Sequence, residues 1–171
     1  MMAARPYPRI GVAALIISPT DKILIGKRKG AHGGGTFAPP GGHLEHGESL
    51  EECAARETLE ETDLVVSRMR FLTATNDIFS ERDKHYVTLY VACELENPYA
   101  EPKVMEPDKC EGWEWVKWHQ VAAWADAMAS DGDNGNQIGG GEDGTKTLFL
   151  PLLNLFRQRP GFDPVASFRR V

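Results

Sequence analysis

The sequence predicts a mixed α/β fold in a single domain, and three observations carry that expectation. Apolar, β-branched runs of strand length recur along the chain, one segment opens with a helix-capping pair, and 171 residues suit one core rather than two. Hydrophobic residues make up 42% of the chain and charged residues 26%, a balance that excludes wholesale disorder. The 19 Lys and Arg are outnumbered by 25 Asp and Glu, giving a formal charge of -6. That sign disfavours a protein that grips duplex nucleic acid by neutralising phosphates, although a small anionic ligand remains open if a metal mediates it.

Ile10 to Ser18 and Lys22 to Lys27 flank the turn signal Pro19-Thr20-Asp21 and predict a hairpin or two adjacent strands. The longest apolar run, Ile10 to Ile17, is far shorter than the ~20 residues of a bilayer-spanning helix, so no membrane partner is expected. A Gly-rich loop follows from Gly30 to Gly35. Phe37 to Pro40 reads as extended because consecutive prolines exclude helix, and Gly41-Gly42 leave backbone that a ligand can approach closely. Ser49 with Glu52 three positions on forms a capping box for a helix ending at Glu61 or Thr62.

Phe71 to Asp77 and Tyr86 to Glu94 are predicted strands; in the second, Val87, Leu89, Val91 and Cys93 alternate with Tyr86, Thr88 and Tyr90. Trp113 to Val116 predicts another strand, with Trp113 and Trp115 on one face as core or dimer contacts. His119 to Ala129 predicts a helix, and Leu148 to Gln158 a C-terminal helix bent near Pro151. Between them Ser130 to Gly144 is rich in Gly, Asp and Asn and reads as a flexible surface loop inside a single domain spanning 1–171. Arg5 and Arg9 are followed by no apolar stretch ending in a cleavage site. Cys53, Cys93 and Cys110 are odd in number and scattered, so neither a disulfide framework nor a zinc site is expected and a cytoplasmic protein is.

Projected at about 100° per residue, the capped helix places Leu50, Cys53, Ala54, Glu57, Glu60 and Glu61 on one face. The core-facing stripe turns acidic partway along. Burying unpaired carboxylates is costly, so a cation is expected there, and oxygen-only ligands favour a hard ion, Mg2+ or Mn2+, shared with a phosphate-bearing substrate. The alternative is a solvated acidic surface of Glu51, Glu52, Glu57, Glu60 and Glu61, and the helix alone does not choose between the two.

The segment in front of and through this helix, GGHLEHGESLEECAARETLEETDL from Gly41 to Leu64, shifts the balance. It resembles the signature of the Nudix hydrolases, G-x5-E-x7-R-E-U-x-E-E-x-G-U with U aliphatic. Gly42, Glu48, Arg56, Glu57, Glu60, Glu61 and Leu64 match, seven of nine defined positions, while Thr58 and Asp63 depart at an aliphatic position and the second glycine. Asp tolerates the left-handed conformation that ends a helix, so the departures touch packing more than chemistry. LIGKRKG, PPGGHLEHGE, HYVTLYV, EPDKCEGWEWV and LFLPL extend the likeness to the eukaryotic nucleoside-triphosphate diphosphatase, MutT-like branch.

The resemblance implies an α/β/α sandwich with a mixed curved sheet and the signature loop-helix. It implies a Mg2+-dependent enzyme, Mn2+ substituting, that converts a nucleoside or deoxynucleoside triphosphate, oxidised or modified ones included, to the monophosphate and pyrophosphate. Glu57, Glu60 and Glu61 would hold the ions with the Gly42 carbonyl, and Arg56 would pair with Glu48 to orient them. Glu111 is the candidate remote carboxylate, in competition with Glu106, Asp108 and Glu114. Arg28 is chosen over Lys27 and Lys29 as a phosphate contact, and Thr88 and Phe149 are assigned to the nucleobase pocket. His43 either contacts substrate or keeps a local hydrogen bond. Buried Cys53 is expected to be inert packing. The implied partner is a small-molecule nucleotide, with a homodimer left open. NADH or ADP-ribose hydrolysis is the alternative activity. A non-catalytic nucleotide sensor is disfavoured because all three ligand carboxylates are kept, and an mRNA-decapping role because the chain is acidic.

Overall fold

The computed structural model describes residues 7–80, 84–130 and 146–170, so 131–144 of the expected surface loop lie outside the described residues. Seven strands form one mixed sheet: β1 (Arg9–Ile17), β2 (Lys22–Arg28), β3 (Phe37–Ala38), β4 (Gly41–His43), β5 (Val66–Ile78), β6 (His85–Leu95) and β7 (Cys110–Lys117). Among the described residues four helices cover it: α1 (Leu50–Thr62), α2 (Trp118–Ser130), α3 (Leu150–Gln158) and α4 (Pro164–Arg169). Among the described residues no helix is long and apolar enough to cross a membrane.

Strand β1 organises the sheet. One edge runs parallel to β6 from Arg9 opposite Tyr86 to Ile17 opposite Glu94. The other edge is shared: β2 meets it at Ile17 opposite Ile23, and β4 pairs with Gly11 to Ala13. The expected hairpin of the first two strands therefore forms its turn, with the Ser18 N–H donating to the Lys22 carbonyl at 2.9 Å, and then splays. The edge that β2 would need is taken by β4, and β2 instead pairs with β3 and β7. The resulting fork opens the sheet beside β1.

Both faces of the sheet are covered, which explains why β1 is a continuous apolar run. Val12, Ala14 and Ile16 pack with Cys53 and Ala54 of α1, while Ala13, Leu15 and Ile17 join residues of α2, α3 and α4 such as Val121, Leu152 and Phe168. The alternation in β6 does not mark a wet side: Thr88 and Tyr90 are buried along with Val91 and Cys93, because α3 caps the face that a polar pattern assigns to solvent. Trp113 and Trp115 pack against the α1-side core, as expected of core residues.

Local signals set α1. The Ser49 side chain accepts from the Glu52 N–H at 3.1 Å, and Glu52 Oε2 returns to the Ser49 N–H at 2.8 Å. Asp63 ends the helix at φ 59°, its N–H donating to the Leu59 carbonyl at 3.0 Å, so the departure from glycine is accommodated. Thr58 is fully buried and its Oγ1 finds no hydrogen-bond partner among the described residues. Thr58→Val keeps the branched shape and removes the stranded hydroxyl; it is expected to raise stability by about 1 kcal/mol in a urea titration. A loss of stability would show that the hydroxyl is satisfied in solution.

The C-terminal region differs from expectation in two ways. Helix α3 starts at Leu150, so Pro151 falls in the first turn, where no N–H is needed, and bends nothing. Leu148 instead forms a bridge with Phe37, which carries Phe149 to the mouth of the fork. Helix α4, which no periodic run announces, places Phe168 against the core.

Candidate active site

The fork between β2 and β4 opens into a cavity of about 580 Å³. Carboxylates of α1 line it together with the glycines of β4, and so do aromatic rings from β6, from the turn after β5 and from the residue before α3. The two groups have different chemistry, and Arg28 of β2 lies near both. Its Cζ stands 4.1 Å from the Phe149 ring centroid, and its charge interacts with that of Glu61. Burial lowers the Arg28 pKa, the Glu61 charge opposing that shift, and its Nη2 donates to the His32 carbonyl at 3.3 Å.

Glycine is required at Gly42 by close approach. A Cβ there would stand 2.2 Å from Glu57 Oε1. One turn further along α1, Glu61 Oε2 accepts the Gly41 N–H at 3.1 Å. Burial pushes the Glu61 carboxyl up to about 7, with the charges of Glu57 and Glu106 adding to the shift and the Gly41 N–H and Arg28 opposing it. Glu60 lies at the rim, its side chain 56% exposed.

Arg56 ties this acidic surface to the loop before it. Its Nε and Nη2 hold the two oxygens of Glu48 at 2.7 and 3.0 Å, a bidentate fork, and Nη2 also donates to the His43 carbonyl at 3.2 Å. Nη1 reaches Glu57 Oε1 at 2.8 Å and Glu60 Oε2 at 3.4 Å. These hydrogen bonds push the Glu48 carboxyl down to about 2 and raise the Arg56 pKa.

The donors are hard oxygens on one helix, and Glu61 is a partly buried carboxylate crowded by like charge. That combination fits a hard divalent cation. Among the described residues no group of three or more His, Cys, Asp or Glu side chains is arranged to hold a metal ion by itself. An ion such as Mg2+, which keeps waters and shares substrate phosphates, does not need such a group.

The other candidates divide. Gly42, Glu57, Glu60, Glu61, Arg56, Arg28, His43, Thr88 and Phe149 all line the cavity. Glu111 does not: it sits at the exposed start of β7 paired with Lys27 at 2.8 Å. Glu106, a competitor in the same stretch, lines the cavity instead, with Lys109 at 2.7 Å. His43 both lines the cavity, its ring 5.6 Å from that of Tyr86, and keeps a local bond through its carbonyl to Arg56. Cys53 is fully buried and its thiol is pushed up to about 12 by that burial.

The sequence pattern shows only half of the aromatic cluster. Phe149 lies 5.6 Å from Phe79 and 5.4 Å from His32, and Phe79 lies 5.8 Å from Tyr86. A Cβ at Gly33 would stand 2.6 Å from Phe149, so the Gly-rich loop packs onto the cluster. Tyr86 shares the Thr88 face of β6 and was within reach of pattern reading. Phe79 and His32 lie in irregular segments that carry no such signal.

A family model described as NUDIX domain matches residues 7–134. The NAD-capped RNA hydrolase NudC of Vibrio cholerae is 31% identical over 96 residues, covering 56% of this chain and 36% of that protein. The ADP-ribose pyrophosphatase of Methanocaldococcus jannaschii is 46% identical over 59 residues, 34% of each chain. The chain thus spans about a third of the length of these curated relatives. A MutT NUDIX hydrolase from Burkholderia pseudomallei superposes with a TM-score of 0.58 at 31% identity, covering 64% of this chain and 83% of that one. The NUDIX domain of Shewanella oneidensis NrtR, complexed with ADP ribose, shares the fold with a TM-score of 0.58 at 19% identity over 90% of this chain and 88% of that one.

Proposed function

This chain belongs to the NUDIX domain family, and we propose that within it the protein is a nucleotide pyrophosphohydrolase that converts a nucleoside or deoxynucleoside triphosphate, modified bases included, to the monophosphate and pyrophosphate. The observation that carries this reading is a cavity of about 580 Å³ that combines an aromatic cluster with a carboxylate helix. That is a slot for one base and one phosphate tail.

Gly42, Glu57, Glu60 and Glu61 would hold the divalent ion, Mg2+ or Mn2+. A bound ion of this kind neutralises charge on diphosphate oxygens and makes water a stronger nucleophile. The chain's own residues do the rest. Arg56, braced on Glu48, keeps the helix carboxylates in register with the loop, and Arg28 meets phosphate while its guanidinium lies over the Phe149 ring. Lys29 and Lys109 line the same cavity and add positive charge for the tail. Glu106 takes the remote carboxylate role in preference to Glu111, because it faces the cavity. Water attacks phosphorus, one phosphoanhydride bond breaks, and the two phosphate products separate.

The test is product analysis on a substrate panel, pyrophosphate against two monophosphates, with Phe149→Ala alongside the parent. Phe149→Ala is expected to raise KM for the best triphosphate by about tenfold or more, with a smaller effect on a base-free polyphosphate. The relative named an ADP-ribose pyrophosphatase favours a second reading, hydrolysis of ADP-ribose, with NADH as the alternative of the same kind. Preference of the parent enzyme for either over every triphosphate would replace the first reading with the second.

A further inference from the structure

Opposite Tyr86, in the pairing of β5 with β6, lies a carboxylate that the chemistry above does not use. Among the described residues Asp77 is the only Asp, Glu, Lys or Arg that is buried, with 0% of its surface exposed. Three side chains from three elements satisfy it. Thr75 Oγ1 donates to Oδ2 at 3.0 Å, Thr88 Oγ1 donates to the same oxygen at 2.6 Å, and Asn154 Nδ2 donates to Oδ1 at 2.9 Å. Burying a carboxylate for stability alone is unfavourable beside an apolar side chain of similar size, which makes its neighbour at the cavity wall informative.

That neighbour is Thr88, which lines the cavity. A hydroxyl has one proton and two lone pairs, and an ionised carboxylate only accepts. With its proton given to Asp77, Thr88 Oγ1 has only lone pairs left to offer a group at the cavity wall. The residue opposite it on β1 is Gly11, which has no side chain to cover that oxygen; a Cβ there would stand 3.8 Å from Thr88 Oγ1.

We propose that Asp77 is a positioning residue that locks the Thr88 hydroxyl as a hydrogen-bond acceptor, so that the enzyme selects a base presenting an N–H donor to the β6 wall of the cavity. The inference rests on the nucleotide reading above and specifies which edge chemistry that pocket takes. A base without a donor leaves the Thr88 lone pairs desolvated and unmatched, and such mismatches discriminate more strongly than apolar contacts do.

The experiment compares steady-state kinetics on the better of GTP and ATP with those on purine riboside triphosphate, whose six-membered ring carries no N–H. The enzymes are the parent, Thr88→Ser, Thr88→Val and Asp77→Asn. The parent is expected to favour the donor-bearing substrate by about tenfold or more in kcat/KM, and Thr88→Ser to keep that ratio. Thr88→Val is expected to bring the ratio within about threefold, through a KM rise confined to the donor-bearing substrate. Asp77→Asn, which puts a competing donor among the hydroxyls, is expected to lower the ratio as well. Equal losses on both substrates, or an unchanged ratio in Thr88→Val, would make the network a tie between β5, β6 and α3 and overturn the proposal. If the parent cleaves ADP-ribose and no triphosphate, the substrate reading falls, and the same ratio on ADP-ribose and its purine riboside counterpart decides this inference separately.

Discussion

Glu61→Gln is expected to fold like the parent and to lose at least about a hundredfold in kcat with Mg2+, on the order of 2.7 kcal/mol of barrier lowering. The substitution keeps side-chain volume and keeps an oxygen to accept the Gly41 N–H that now bonds Glu61 at 3.1 Å. It deletes one thing, the negative charge that a divalent ion requires. Because that carboxylate is pressed up to about 7 by burial, with neighbouring negative charge adding to it, removing the charge is expected to leave the metal-free protein melting at or above the parent temperature. Glu57→Gln is expected to lose turnover in the same way. Glu51→Gln, outside the cavity on the first turn of α1, serves as the control and should match the parent. Turnover of Glu61→Gln within about tenfold of the parent would remove Glu61 from the ion site.

The second large effect is expected at Arg56. Arg56→Lys should lower activity by about ten- to a hundredfold and raise the Mg2+ concentration needed for half-maximal turnover. A positive charge alone does not explain this residue. Its planar fork spans both oxygens of Glu48 at 2.7 and 3.0 Å while the other nitrogen holds Glu57 at 2.8 Å, and a single ammonium cannot make those contacts together. Helical content by circular dichroism should be unchanged, since the capping box that starts α1 does not involve Arg56. A Mg2+ titration that superposes on the parent's would show that the loop and helix hold their register without the fork.

The pieces of the site that were legible in the sequence are those set by neighbours a few residues away. Ser49 and Glu52 announce the start of α1, and the rotation per residue then places Glu57 and Glu61 on a common face. Asp63 at the signature glycine could be expected to turn left-handed, and it does so at φ 59°. Thr58 was visible as a departure, but only the packed structure shows its hydroxyl buried with no partner among the described residues. Glu106 and Glu111 are indistinguishable as letters in an acidic stretch. The pairing of β7 with β2 puts Glu111 against Lys27 and leaves Glu106 facing the cavity.

By itself, then, the sequence determined the strands of β1, β6 and β7 and the capped helix with its acidic face. Each depends on alternation, helical period or hydrogen bonds closed within about one turn. The tertiary structure alone decided that β4 takes the edge of β1 and forces β2 to splay, which is what makes the cavity. It also decided that Phe79, His32 and Phe149 meet, and that Asp77 is buried under Thr88 and Asn154. The physical reason is the same in each case. Edge pairing and burial are settled by which distant segments exclude water from one another, and no window of neighbouring residues contains that competition.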